Sequence, residues 1–347
     1  MRRRDLESAL ARLADPRVLG LEEALATFDA LADRTAPPVP KAAILGALLA
    51  RGVRAEELAR FARAMLARAR GPIRRRSPIL LDTYGTGGDG SDSFNLSTAT
   101  ALLLAAEGFP VAKHGNRSVS SRCGSADLIE ALGIEFARSP AHAERELAAR
   151  GFTFLFARAF HPAAAEIAAV RRELGVRTVF NLLGPLVNPA RPTHQLTGTG
   201  DIETAACMAG ALACLDTERA FVVVGAGGWD EATQAGPFEL FDVRPGRVER
   251  IRFDAATFGL PRCSPEELSG QDAAHNAHLL VRAFSPTRAG RDPVRDAVLL
   301  NGALCLLLVG AESSPRSAVQ RLRTTIRSGR AASFLHDISP MTDGAIR

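Results

Sequence analysis

Asp82-Thr83-Tyr84-Gly85-Thr86-Gly87-Gly88-Asp89-Gly90 is the stretch on which the reading of this chain turns. The apolar run Ile79–Tyr84 leads into it and predicts a strand, while Ser93-Phe94-Asn95-Leu96-Ser97-Thr98 follows and opens a helical pattern over Asn95–Glu107. Four glycines within Gly85–Gly90 let the backbone turn tightly and bring its N–H groups up to a ligand. A helix N-terminus attracts phosphate through unpaired N–H groups and the helix dipole, and the hydroxyls of Ser97 and Thr98 can touch phosphate or a hydrated magnesium. The loop is neither a Walker A motif nor a dinucleotide fingerprint. Taken alone, it also admits a plain turn between strand and helix.

Working outward, a second strand is predicted at Phe109–Lys113, and Lys113-His114-Gly115-Asn116-Arg117-Ser118 follows it. Both motifs then sit at the strand-end edge of one sheet, where open α/β folds bind ligands. A cation beside hydrogen-bonding side chains suits a polyanion next to a polar acceptor. The hydroxyl-rich run Ser118–Ser125 reads as a loop that folds over the ligand. Lys41 and Lys113 are the only lysines among 43 basic residues, and Lys41 lies in no motif. Asn95, Asn116, Asn181 and Asn188 are four of only six asparagines, and all four fall in motifs.

The rest of the chain falls into two styles. Residues 5–70 carry apolar residues at helical spacing, with Pro37, Pro38 and Pro40 dividing the second helix from the third. Arg74-Arg75-Arg76 reads as a solvated linker. From residue 78, strands and helices alternate: a helix at Ala126–Leu132, a strand at Phe152–Phe156, helices at Pro162–Leu174 and after Asp201, and a strand at Ala220–Val224. Ser139-Pro140, Ser264-Pro265 and Asp292-Pro293 are helix starts, each a capping residue followed by proline. The alternation predicts an α/β fold: a small all-helical N-terminal domain joined to a large α/β domain with a sheet flanked by helices.

Composition narrows the function classes. The net charge of +5 suits an anionic small substrate and is too weak and dispersed to argue for nucleic acid. Five cysteines without a C-x-x-C pair argue against a disulfide framework or structural zinc and for a reducing compartment; Cys207 and Cys214 read as core packing. No apolar run reaches the roughly 20 residues of a membrane span, and Met1–Asp5 has no apolar stretch behind it. A cytoplasmic location is expected.

Together, Gly85–Gly90, Asn95-Leu96-Ser97-Thr98 and Lys113–Ser118 resemble the anthranilate phosphoribosyltransferases. Phe154-Leu155-Phe156-Ala157, His161-Pro162, Val170-Arg171, Arg177–Pro189 and Asp230-Glu231 continue the family pattern in order. The resemblance implies a mostly parallel central sheet, a small domain over residues 1–77 completed by helices from about 161–190, and a large domain over 78–347. It implies transfer of a phosphoribosyl group from phosphoribosyl pyrophosphate to anthranilate in tryptophan biosynthesis, by a magnesium-dependent homodimer with two ions per site. Gly85, Thr86, Gly87, Gly88, Asp89, Ser93, Asn95, Ser97, Thr98, Lys113 and Ser125 are implied to hold the donor. Gly85, His114, Asn116, His161, Arg171, Gly184 and Pro185 are implied to line the acceptor site, with Arg171 on its carboxylate and Lys113 and Arg171 as the catalytic pair. Ser97, Asp230 and Glu231 are the implied metal ligands. Such a reaction needs no protein nucleophile, which agrees with the lack of an evident Ser-His-Asp or Cys-His set.

The sequence departs from the family pattern at Trp229, at Ala232-Thr233 and at Ser269-Gly270-Gln271-Asp272. These departures leave room for a paralogue using a substituted anthranilate. Two further readings share the scaffold, a pyrimidine nucleoside phosphorylase and a non-catalytic nucleic-acid-binding relative. The first has a different phosphate loop and no use for the Asp230-Glu231 pair; the second is disfavoured by the intact substrate motifs and the low charge.

Overall fold

The computed structural model describes residues 3–15, 17–118 and 122–339. Seven strands form one sheet: β1 Leu81–Gly85, β2 Val111–Gly115, β3 Phe152–Phe156, β4 His194–Gly198, β5 Arg219–Val224, β6 Phe238–Arg244 and β7 Arg247–Phe253. Their order is β3-β2-β1-β4-β5-β6-β7. The first five in that order run parallel, and β6 and β7 add an antiparallel hairpin at one edge. The expected α/β class and mostly parallel sheet are therefore present.

The order fixes where a ligand can sit. From β1 the chain winds outward through β2 and β3, then returns to place β4 on the other side of β1. The connections diverge at that point and leave a crevice at the carboxyl ends of β1 and β4.

Alternation along β5 supplies both faces of the sheet. Phe221 and Val223 join one core with the helices Leu96–Glu107, Ala273–Phe284, Pro293–Leu308 and Pro315–Arg327. Ala220, Val222 and Val224 join a second core with the helices Ile202–Ala213, Leu21–Ala32, Pro38–Arg51 and Ala55–Leu66. The helices Leu96–Glu107 and Pro293–Leu308 are apolar nearly all round, as fully sandwiched helices must be. Ile167, Val170, Phe180 and Leu183, from the segment after β3, also belong to the second core and pack with the N-terminal helices. Glu57 organises that N-terminal layer. It is fully buried, accepts the Leu19 and Arg54 N–H groups at 2.7 and 3.1 Å, and meets the Arg51 guanidinium at 2.8 Å.

The strands at β1 and β2 begin two residues later than the apolar runs predict. At β2 the cause is local: Phe109 N–H closes the preceding helix on Leu104 O, and Pro110 has no N–H to give a ladder. Pro38 and Pro40 lie within the first turn of the third helix rather than before it. Ser264-Pro265 starts only a single 3₁₀ turn, Pro265–Leu268. The core reading of the cysteine pair fails at Cys214, which is exposed at the helix end; Cys207 is half-buried beside Val53 O. Among the described residues no helix is long and apolar enough to cross a membrane.

Replacing Glu57 by Gln should lower unfolding free energy by about 2–4 kcal/mol, because Arg51 is left facing a neutral partner in a largely buried site. A urea midpoint unchanged from the parent would contradict this reading.

Candidate active site

The two motif-bearing strand tips lie side by side, because β1 and β2 are adjacent and parallel. Lys113 reaches across them. Its buried Nζ donates to Thr83 O at 2.6 Å and to Ser97 Oγ at 3.3 Å, while Thr83 Oγ1 donates to Ser97 O at 2.8 Å. One ammonium thus ties β2 to β1 and to the first turn of the helix that follows the glycine loop. Burial lowers the Lys113 pKa to about 8, opposed by the carboxylates of Asp82 and Glu231. Asp82 is fully buried and raised to about 6 by desolvation, with Lys113 pulling the other way. Its oxygens accept His114 N–H at 3.2 Å and Asn188 Nδ2 at 2.8 Å, and Asn188 also donates to Ala112 O at 2.7 Å.

From the other side of the crevice, the turn after β5 delivers Asp230 and Glu231. Asp230 Oδ2 accepts Gly87 N–H at 2.6 Å, Glu231 Oε1 accepts Ser97 N–H at 2.9 Å, and Asp230 N–H donates to Asp89 Oδ2 at 3.2 Å. The approach needs bare backbone: a Cβ on Gly85 would stand 2.6 Å from Asp230 Oδ2, and one on Gly198 would overlap the Asp230 carbonyl. Gly87 and Gly88 hold φ of 68° and 70°, which favours glycine in this loop. Burial and the neighbouring Asp89 raise the Asp230 pKa to about 7; burial and Asp230 push Glu231 well above the usual carboxylate range.

These acids fit a hard cation. Two adjacent buried carboxyls repel each other, Glu231 Oε2 is buried without a hydrogen-bond partner, and the Ser97 hydroxyl lies nearby. An all-oxygen set suits magnesium, which keeps water and phosphate in its shell and asks few ligands of the protein. Accordingly, among the described residues no group of three or more His, Cys, Asp or Glu side chains is arranged to hold a metal by itself.

The remaining predicted residues cluster on the β2 side. His114 Nδ1 lies 3.1 Å from Gly184 O, and a carbonyl only accepts, so Nδ1 carries the proton and Nε2 is left as an acceptor, buried and unpartnered. His161 packs edge-on against His114 with ring centroids 5.2 Å apart. Burial depresses both imidazoles, His161 to about 4, so neither is charged at neutral pH. Pro185 O accepts Gln195 Nε2 at 2.8 Å, which pins the 184–186 turn to β4. Arg171 projects from the helix Pro162–Leu174, with Nη2 3.2 Å from Asn181 Oδ1, the guanidinium 5.7 Å from the Phe180 ring centre and Nε buried without a partner.

Some predicted residues are already engaged by the protein. Asn95 donates to Cys123 O at 3.0 Å and accepts from Asn276 Nδ2 at 2.9 Å, tying the loop after β2 to the helix Ala273–Phe284. Asn116 Oδ1 accepts Arg117 N–H at 2.9 Å, and Ser125 Oγ donates to Asn116 O at 3.2 Å. Ser93 forms a bridge with Ser269 on the rim. The Thr86 and Thr98 hydroxyls are buried and unpartnered. Part of the expected covering loop, 119–121, lies outside the described residues.

Sequence reasoning gave no role to Asp82, Thr83, Tyr84, Asn188 or Asn276. Asp82, Thr83, Tyr84 and Asn188 all stand inside quoted motifs, and the scarcity of asparagine singles out Asn188. Trp229 is buried in the core around Phe238 and Leu240. That departure from the family pattern is therefore absorbed by packing.

With metal withheld, Asp230 raised from 3.8 to about 7 keeps a proton in the folded state that the unfolded chain has lost, so this group erodes stability as pH rises through that interval. In EDTA, the stability of Asp230→Asn relative to the parent should rise from about pH 4 to about pH 7, and magnesium should narrow the gap. A gap flat across that range would contradict the buried-acid description.

Comparison with known proteins agrees with the geometry. Residues 77–332 match the α/β-domain model of the glycosyl transferase family, and residues 7–69 match its helical-bundle model. An anthranilate phosphoribosyltransferase from Desulforudis audaxviator is 41% identical over 338 residues, covering 97% of this chain and 96% of its own. One from Moorella thermoacetica is 42% identical over 330 residues, covering 95% and 96%. The crystal structure of the Thermus thermophilus enzyme superposes with a TM-score of 0.86 at 41% identity, covering 96% of this chain and 98% of that one. The Saccharomyces cerevisiae enzyme in complex with phosphoribosyl pyrophosphate and magnesium superposes at 0.88 with 25% identity, covering 98% of each. With its strand tips, carboxylate pair and full-length likeness in agreement, the chain belongs to the anthranilate phosphoribosyltransferase family.

Proposed function

We propose that this chain transfers the phosphoribosyl group of phosphoribosyl pyrophosphate to the amine of anthranilate, giving N-(5-phosphoribosyl)anthranilate and pyrophosphate in tryptophan biosynthesis. The carrying observation is the junction made by Lys113 between the two strand tips, facing Asp230 and Glu231 across the switch point.

The donor's diphosphate belongs on the glycine loop and the helix start, where Gly87 and Ser97 N–H groups already hold carboxylates. Gly85, Thr86, Gly88, Asp89, Ser93, Asn95, Thr98 and Ser125 frame that seat, and Lys113 offsets its charge. Ser97, Asp230 and Glu231 would hold magnesium, two ions per site, which when bound neutralises the departing pyrophosphate. Backbone N–H groups and the Lys113 ammonium stabilise the same leaving charge, while the ribose C1 becomes cation-like. The acceptor's amine attacks C1 from the face opposite pyrophosphate. Its ring lies by His114, Asn116, His161, Gly184 and Pro185, with its carboxylate on the two-pronged Arg171 guanidinium. The protein's contribution is chiefly positioning. The neutral imidazoles suit a neutral amine, since a charged neighbour would compete with Arg171 for the carboxylate.

Residues 1–77, completed by 161–190, form the small domain of this reading, and 78–347 form the large one. Arg171 and His161 then come from the small-domain side, and Lys113 and the carboxylates from the large. The working form is a cytoplasmic homodimer, with the small-molecule substrates as partners and no role for nucleic acid or membrane.

Mixing the protein with donor, magnesium and anthranilate should quench anthranilate fluorescence; a steady signal from folded protein would count against the proposal. Arg171→Ala should raise the acceptor KM by roughly tenfold or more and change the donor KM little. Asp230→Asn with Glu231→Gln should instead raise the magnesium requirement. Equal losses on donor and acceptor in both variants would defeat the division of roles.

A further inference from the structure

Tyr84 is the only tyrosine in the chain, and the reaction as described gives it no task. It is the fourth residue of β1, directly before Gly85, so it enters the site from the same strand tip as the donor loop. Its side chain reaches toward the acceptor residues. A Cβ placed on Gly184 would stand 2.5 Å from Tyr84 Oη and 3.0 Å from Cζ, so the phenol lies against the bare Gly184 backbone. The ring centre is 6.0 Å from that of His114, at an interplanar angle of 36°. Gly184 O is in turn the partner of His114 Nδ1. Gly184 and His114, two residues of the acceptor site, therefore form one contiguous surface against the phenol.

Among the described residues the Tyr84 hydroxyl enters no hydrogen bond, and Arg171 Nε is buried without a partner. A phenol O–H is a neutral donor. A carboxylate held by a guanidinium still has lone pairs to offer a second donor, whereas an uncharged acceptor ring has no comparable group.

We infer that Tyr84 is a specificity-determining residue of the acceptor site, its hydroxyl donating to the acceptor's carboxylate beside Arg171 and its ring walling the space next to Gly184. The inference rests on the proposed transfer to anthranilate and adds a second carboxylate donor to it. The assignment puts the Tyr84 hydroxyl on the acceptor and not on the donor's diphosphate, so acceptor and donor kinetics separate its role from a structural one.

Tyr84→Phe keeps the ring and removes only the hydroxyl. It should raise the anthranilate KM by about tenfold and leave the KM for phosphoribosyl pyrophosphate unchanged, because a hydrogen bond to a charged group is lost. Anthranilamide, which lacks the charge, should be used equally poorly by both proteins, so the variant discriminates less against it. A measurement on the unsubstituted fold needs no mutation. With 3-fluorotyrosine incorporated, the chain gives one fluorine resonance, which should shift when anthranilate is added to protein holding magnesium pyrophosphate. Anthranilate KM unchanged in Tyr84→Phe, or a resonance indifferent to bound anthranilate, overturns the assignment. Failure of the parent protein to transfer to anthranilate at all sinks the proposed function instead, so the two failures are distinguishable.

Discussion

A single buried ammonium holds this site together. Lys113 Nζ reaches from β2 to a carbonyl on β1 and to the serine hydroxyl in the first turn of the next helix. Desolvating an ammonium is costly unless opposite charge and hydrogen-bond acceptors surround it, and here Asp82 and Glu231 supply the charge. That requirement explains the dense polar packing beneath the crevice. Asp82 is held by His114 N–H and Asn188, and Asn188 is fixed by Ala112 O and Ala190 N–H. Remove the ammonium and two buried acids, Asp82 and Glu231, are left without that counter-charge.

The carboxylates above Lys113 show the complementary constraint. Asp230 and Glu231 are drawn into the crevice by the N–H groups of the glycine loop and the helix start, the donors best suited to phosphate. A diphosphate and a carboxylate cannot both take the same N–H. In the proposed function the diphosphate takes these N–H groups, which would displace the acids from Gly87 and Ser97 and free their lone pairs for a divalent cation. On that proposal substrate and metal would be coupled through shared hydrogen-bond donors; the glycines at 85 and 198 let Asp230 come this close, because any side chain there would keep it away.

The parts of this arrangement that were legible in the sequence are those where chemistry is concentrated in contiguous residues. The glycine loop, the Lys113–Ser118 run and the Asp230-Glu231 pair each announce a backbone geometry or a charge. The all-helical start and the strand–helix alternation followed from apolar spacing. β4 was missed because His194-Gln195-Leu196-Thr197-Gly198 has no apolar run: it carries polar side chains that bond outside the sheet, such as Gln195 to Pro185 O on the 184–186 turn. The β6–β7 hairpin was missed for a related reason, since β7 carries Arg247, Glu249, Arg250 and Arg252 on an exposed edge, where charge discourages pairing with other chains. Asp82, Tyr84 and Asn276 went without roles because their partners lie 30 or more residues away, at Asn188, Gly184 and Asn95. Spacing along the chain cannot report such contacts.

The most direct measurement of the central claim is calorimetric binding of phosphoribosyl pyrophosphate, with magnesium, to Lys113→Met. A methionine of similar length keeps the fold, which circular dichroism verifies, while the crevice loses its buried ammonium. The account predicts donor affinity weaker by about 100-fold, with thermal stability falling as the acids ionise. Affinity within a factor of two of the parent would contradict the claim that this ammonium organises the donor seat.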